Sequence, residues 1–521
     1  MINSLRLGLL LTVLVVTAYY AVMHVKVLQI DHPITQDEPG FVEITAAANP
    51  YTHDGVLACG NVYGPGYPLW ARPFTAIFAN PYIAHRWASS AALFAMLGLL
   101  AWVLRRENVG GIETAAALAI VYILNVSSHS LSASADLLGA ALYFAALTVS
   151  RRGTWPALLA GIALTALAAL TKPYFAFAGI IVASHLLLFG PPRKAVAYIG
   201  LSALLAAVTL AVLQAAAPFY FLSTFLYHRT VAARSLNTLL GQSTEFALLA
   251  GGVLVLAVLA LPQRRTLALS WQRPVLSPAV DLWDWAALLA TAVLLGSLGW
   301  HPGNHLVYYF HLLLVPLVVV ALRRISAWPR AGRVLLCANL LVLGWFTPPL
   351  PGNDNWATLT ASVSAVHGAV LADPLLEPFA RSQPNVGLLM HGQSASIRNA
   401  LDQLGPAVPA AYAGIQREFL QLAEAQAARI RAQEYAAIYV CYVDVGGGAA
   451  WNYEQSHVLP ALFASYRLAE EIVIYPYATP YWDRMRHGQN PQHVTRWVPK
   501  NPAPEPQLNR MGHEDAQKAQ K

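Results

Sequence analysis

Between two apolar runs, 112–126 and 131–149, the chain reads Ser127-Ser128-His129-Ser130-Leu131-Ser132-Ala133-Ser134-Ala135-Asp136. A membrane-crossing helix needs about 20 residues. Two of them would use nearly all of residues 110–150 and leave nothing for a loop. The serine-rich turn must then lie recessed below the membrane surface, where non-helical backbone is tolerated only if it is buried in protein or lines a wet cavity. Asp136 has two compatible readings: a carboxylate at the mouth of that cavity, or an acid stabilising a helix N-terminus beside a serine cap.

Composition supports a membrane setting. Of 521 residues, 56% are hydrophobic and 11% are charged, whereas soluble domains carry about 25% charged residues. That shortfall excludes an ordinary cytosolic enzyme, a disordered chain and a nucleic-acid reader, and leaves a polytopic membrane protein. Eleven apolar runs suit spans: 5–28 (a retained signal anchor), 83–104, 112–126, 131–149, 155–171, 174–189, 195–216, 245–261, 282–300, 306–322 and 334–346. Every second connection is basic: Arg105 and Arg106, Arg151 and Arg152, Arg193 and Lys194, Arg264, Arg265 and Arg273, then Arg323, Arg324, Arg330 and Arg333. The positive-inside rule puts those connections and the N-terminus in the cytoplasm. Loop 30–81, loop 219–242 and the C-terminal region then lie outside, and the net charge of +7 is largely a topology signal.

Composition shifts after Thr347-Pro348-Pro349. Residues 1–349 are expected to form the transmembrane module, 350–489 an extracytoplasmic α/β domain, and 490–521, rich in Pro, Gln and charge, a disordered tail. Strands are expected at 386–390, 436–443 and 472–475, and a helix at 418–433. Gly446-Gly447-Gly448 is read as a plain loop. Cys59, Cys337 and Cys441 are too few for a disulfide framework; free thiols are expected, with a Cys59–Cys441 bridge as the alternative.

Polar groups at membrane depth are costly and usually functional. Lys172, in the tight hairpin Thr171-Lys172-Pro173-Tyr174, either snorkels to lipid phosphates or projects into the cavity as an anion ligand. Loop 30–81 is too long for a connector. It carries Asp37 and Glu38 just outside the first span, a potential general base or metal ligand pair, and the rigid aromatic segment Tyr63-Gly64-Pro65-Gly66-Tyr67-Pro68. Loop 219–242 is aromatic at its start and cationic in its middle, with His228, Arg229 and Arg234, as an interfacial helix gripping a lipid head group would be. A late outer turn reads His301-Pro302-Gly303-Asn304-His305, followed by Tyr308 and Tyr309; its spacing alone defines no metal site.

In these residues the chain resembles the GT-C superfamily of integral-membrane glycosyltransferases, which contains protein O-mannosyltransferases and the lipid A aminoarabinose transferase. The resemblance covers most of the chain and rests on the order of its parts: Asp37-Glu38 opening the first outer loop, then Tyr63, Pro65, Tyr67 and Pro68 before the second span, Asp136 opening the fourth, and the late His301–His305 turn with Tyr308. One departure is Gly64, where relatives often carry Lys. The resemblance implies a helical polytopic fold with a C-terminal α/β domain, in a multi-pass plasma membrane (bacterial inner membrane). It further implies inverting transfer of a sugar from a polyprenyl-phosphate donor to a glycan, lipid or protein hydroxyl outside, in cell-envelope glycan chemistry. Asp37 would be the base, Glu38 the second choice, and Asp136 would orient the acceptor or a metal. A divalent cation, Mg or Mn, would sit at Asp37 and Asp136 if one is used. Lys172, His228, Arg229 and Arg234 would meet the donor phosphate, and Tyr63, Pro65, Tyr67, His301, Asn304, His305 and Tyr308 would line the substrate site.

The main rival class is a transporter or lipid flippase, which would also have recessed polar turns. Transporters tend to show an internal repeat, and the acidic first loop has no counterpart in the second half. A mere anchor for the outer domain would not need eleven spans with charges at depth.

Overall fold

The structure, a computed structural model, describes residues 2–34, 37–127, 135–226, 235–260, 280–300, 309–346, 355–373, 376, 386–388, 392–441, 458–474 and 492–500. The chain divides into two compact units, Met1–Asp354 with Tyr475–Asn490, and Asn355–Ile474 with Pro491–Lys521.

The first unit is helical: α1 (Ile2–Gln29), α2 (Asp37–Ala46), α3 (His53–Ala58), α4 (Gly66–Ile77), α5 (Pro81–Arg106), α6 (Gly111–Val126), α7 (Asp136–Ser150), α8 (Trp155–Thr171), α9 (Phe177–Phe189), α10 (Pro192–Ala216), α11 (Leu236–Leu249), α12 (Gly251–Ala260), α13 (Leu282–Gly296), α14 (His311–Leu322) and α15 (Pro329–Trp345). Among the described residues, each of the eleven apolar runs is largely helical. Among the described residues, four helices, Ser4–Gln29, Pro81–Arg106, Pro192–Ala216 and Leu282–Trp300, are long and apolar enough to cross a membrane, and α11 with α12 forms a further, bent pair. Helices α6, α7 and α14 are shorter and lie mostly inside the bundle, whereas α8, also shorter, keeps an exposed face. Every residue of α14 is buried, as a helix apolar all round requires, and its one polar residue, His311, meets Asn125 Oδ1 at 2.8 Å.

The expected span at 245–261 is broken: α11 and α12 meet at 83°. The cause is Ala250-Gly251-Gly252 facing α15. A Cβ at Gly252 would lie 2.3 Å from the Leu335 carbonyl oxygen, so only glycine lets the chain approach α15 this closely. A helix break orphans backbone groups, and Asn339 of α15 satisfies them on both sides. Its Oδ1 accepts from Gly252 N (2.9 Å) and Val253 N (3.3 Å), while its Nδ2 donates to Leu249 O (2.7 Å).

The second unit is α/β. Its helices are α16 (Trp356–Ser364), α17 (Gly392–Leu404), α18 (Ala413–Arg431) and α19 (Val458–Ser465); its strands are β1 (Val370–Ala372), β2 (Val386–Leu388), β3 (Ala437–Cys441), β4 (Tyr466–Ile474) and β5 (Gln492–Pro499). The sheet order is β2-β1-β3-β5-β4. Strands β2, β1 and β3 are parallel, with Val370 opposite both Val386 and Ala437; β5 is antiparallel to β3 and β4.

Two corrections follow for the sequence reading. Residues 492–499, expected in a disordered tail, are an interior strand. The run His493-Val494-Thr495-Arg496-Trp497-Val498 is β-branched and aromatic, Val494 and Thr495 are fully buried, and Thr495 Oγ1 donates to Val440 O at 3.0 Å. The strand expected at 472–475 starts six residues earlier, at Tyr466, because pairing with β5 extends it through a bulge between Leu468 and Glu470. The glycine run 446–448 lies outside the described residues.

Candidate active site

The site is built from three segments of the first unit. The first is the loop ahead of α4. Tyr51 OH donates to Tyr63 O at 2.5 Å, Asn61 Nδ2 donates to Tyr51 OH at 2.7 Å, and Tyr63 N donates to Asn61 Oδ1 at 2.9 Å. Burial, with Tyr220 and Cys59 adding to it, pushes the Tyr51 hydroxyl well above 10, so it stays a neutral donor. Phe41 of α2 stacks on the Tyr63 ring at 5.5 Å. The loop presses on the end of α8: a Cβ at Gly64 would lie 1.8 Å from the Leu170 carbonyl oxygen. A larger side chain at this position would have no room.

The second segment is the α8–α9 hairpin and the third is the start of α7. Lys172 Nζ donates to both carboxylate oxygens of Asp136, at 2.8 and 2.9 Å, and Tyr174 OH donates to Asp136 Oδ1 at 3.0 Å. The ammonium also lies 4.5 Å from the Tyr63 ring centroid, within cation–π range. The Tyr309 ring closes edge-on against Tyr174 at 5.2 Å. Lys172 and Asp136 are both buried. A 15-residue helix such as α7 is only about 22 Å long, short of a hydrocarbon core of about 30 Å; most of the serine-rich turn, 128–134, lies outside the described residues.

Beside it, Glu38 is held rather than free. Arg86 Nε donates to Glu38 Oε1 at 2.9 Å and Nη2 to Oε2 at 2.7 Å, and Ile34 N donates to Oε2 at 2.7 Å. The remaining guanidinium hydrogens go to Val27 O (3.2 Å), Ile30 O and His32 O (2.5 Å). Both side chains are fully buried. Arg86 thereby ties the end of α1, the start of the first loop and α2 into one unit. Asp37 opens α2 one residue earlier; its side chain lies outside those described.

The structure thus brings together Tyr63, Asp136 and Lys172 from the sequence candidates. It adds Tyr174, Tyr309 and Tyr51, and it gives Glu38 a structural partner instead of a proton to take. Pro65 is half-buried at the start of α4. Tyr67 is fully buried, its hydroxyl 3.1 Å from His85 Nδ1, and serves the packing of α4 on α5. His228, Arg229, Arg234, His301, Asn304, His305 and Tyr308 lie outside the described residues. Arg86 was missed, although a lone cation inside the apolar run 83–104 was signal enough. Cys59 is a buried free thiol; burial, with Glu43 behind it, pushes it up to about 12. The Cys441 side chain is not among those described.

Asp136 does not fit a divalent cation in this arrangement, because both its oxygens accept from Lys172 and one also from Tyr174. Among the described residues, no three His, Cys, Asp or Glu side chains come together as metal ligands.

No family model and no curated protein matches the chain. Among solved structures, it is similar to the crystal structure of ArnT from Cupriavidus metallidurans in the apo state, at 12% identity and a TM-score of 0.48, over 93% of this chain and 97% of that one.

Proposed function

We propose that this chain is a membrane glycosyltransferase that moves a sugar from a polyprenyl-phosphate donor to an acceptor hydroxyl on the extracytoplasmic side, with inversion and with Asp37 as base. The observation that supports it most is the pairing of two built features in the helical unit. An acidic loop is locked by Arg86 and Glu38, and a tyrosine-walled group centres on Asp136 and Lys172.

The chemistry needs few groups. The acceptor oxygen attacks the anomeric carbon, the bond from that carbon to the phosphate oxygen breaks, and the acceptor proton goes to Asp37. The lipid phosphate leaves as an anion and takes no proton. Its charge must be met by fixed donors. Lys172 is already neutralised by Asp136, so Arg229 and Arg234 of loop 219–242 carry that role, with His228 beside them. Lys172 and Asp136 instead hold Tyr63 and Tyr174 as a wall against which a sugar ring can stack. A divalent cation, if one is used, would act away from Asp136 and supply further charge at the phosphate. The basic connections support a cytoplasmic N-terminus and an α/β unit outside, and the resemblance supports a multi-pass plasma (bacterial inner) membrane.

The test is a panel of polyprenyl-phosphate sugars presented to the full chain in liposomes, with release of polyprenyl phosphate as the readout. Acceptor-dependent release from one donor is expected. Movement of an intact donor across the bilayer without cleavage would establish the flippase reading instead.

A further inference from the structure

A second charged group lies at the far end of α7, about 22 Å along the helix from Asp136. Trp102 of α5 carries two guanidiniums on its ring: the Cζ of Arg106 at 4.9 Å from the centroid and that of Arg152 at 5.8 Å. Gly153 follows in the left-handed region at φ +64°, which turns the chain toward α8, and Lys194 Nζ donates to its carbonyl at 2.8 Å. Three cations thus converge on one short turn.

The acids of this face are engaged elsewhere. Glu107 binds Arg151, Asp281 binds Arg151 at 2.8 Å and Arg323 at 3.4 Å, Asp284 binds Arg323, and Glu113 binds Arg333 at 2.7 Å. Among the described residues, no carboxylate forms an ion pair with Arg106 or Arg152. Arg106 and Arg152 are both exposed, so two guanidiniums stand over one indole face with their hydrogen-bond donors open to an anion.

The depth of the cluster identifies the anion. Trp102, Trp155 and Trp328 are 38%, 44% and 49% exposed, and Leu159, one turn into α8, is 50% exposed. Exposed tryptophans beside exposed leucine mark the membrane–water boundary, where lipid phosphates lie. Arginine forks match phosphate oxygens, and basic pockets between helix ends bind anionic head groups. We propose that Trp102, Arg106 and Arg152, with Lys194 behind them, form a binding site for the phosphodiester of an anionic phospholipid, on the face opposite the candidate active site.

The experiment uses the full chain in neutral mixed micelles and follows tryptophan quenching by brominated phosphatidylglycerol and by brominated phosphatidylcholine. The wild type is expected to bind the anionic lipid more tightly. Arg106→Gln/Arg152→Gln should weaken that binding by about thirtyfold, the worth of two basic residues at a membrane surface. Arg106→Lys/Arg152→Lys, which keeps charge and removes the forks, should fall between and guards against a misfolded Gln pair. Arg105→Gln/Arg330→Gln, which removes the same charge from the same face but leaves the Trp102 cluster intact, should weaken binding clearly less than the Arg106/Arg152 pair does. Equal affinity for the two lipids, equal losses in the two Gln pairs, or full displacement by inorganic phosphate would overturn the proposal.

Discussion

Replacing Arg86 by Met removes the cation and keeps most of its volume. It leaves the Glu38 carboxylate fully buried without its bidentate guanidinium partner, and it strips a donor from the carbonyls of Val27, Ile30 and His32. Breaking a buried ion pair from one side costs about 3–5 kcal/mol, much of it the stranded charge. At about 2 °C per kcal/mol, the low end of the scaling for domains of 150–250 residues, melting in detergent should fall by roughly 6–10 °C. The first loop should also become sensitive to protease between residues 30 and 81. Glu38→Gln in the Arg86→Met background removes the stranded charge, so the double variant should be more stable than the sum of the singles by about 2 kcal/mol, a coupling that contacting residues show. Additive single effects, or an Arg86→Met protein melting within about 2 °C of wild type, corresponding to roughly 1 kcal/mol, would refute the assignment of Arg86 as the clamp of this loop.

Three further outcomes follow from the geometry. Gly64→Ala places a methyl 1.8 Å from Leu170 O and forces Tyr63 away from Lys172; a loss of about 1–3 kcal/mol is expected by thermal melting, with at least tenfold lower transfer, roughly what 1.4 kcal/mol at the barrier gives. Asn339→Ala orphans three backbone groups at the α11–α12 break and should cost about 2–4 kcal/mol, whereas Asn339→Gln should recover part of it. The Cys59 thiol, raised to about 12, is protonated at pH 8, so alkylation of the folded chain should be slow there and rise only as pH approaches the thiol's own range. Denaturant should make it fast at pH 8.

The membrane part was legible because lipid imposes one rule on the whole chain: apolar runs of sufficient length become helices. The rule does not say where a helix bends. The break at Ala250 depends on the close approach of Gly252 to α15 and on Asn339, 87 residues along the chain from Gly252. In the second unit, Trp497 and Val494 looked like part of a Pro- and Gln-rich tail, because a strand in the middle of a sheet is specified by neighbours that local composition does not contain. The site was legible in its parts and not in its pairing. Asp136 and Lys172 each stood out as charges at depth, 36 residues apart, and were read singly as acceptor guide and anion ligand. Their salt bridge is the reason Lys172 is proposed as wall support and not as phosphate ligand. Glu38, equally conspicuous beside Asp37, is explained by Arg86, whose charge was hidden inside a span.

The most direct measurement is sugar transfer by Asp37→Asn in liposomes, with melting temperature as the control for folding. A carboxamide at Asp37 is nearly isosteric and cannot take the acceptor proton. Loss of the base should lower transfer by about 10²–10⁴-fold while donor binding and melting stay near wild type. Full activity in a folded Asp37→Asn protein would contradict the account.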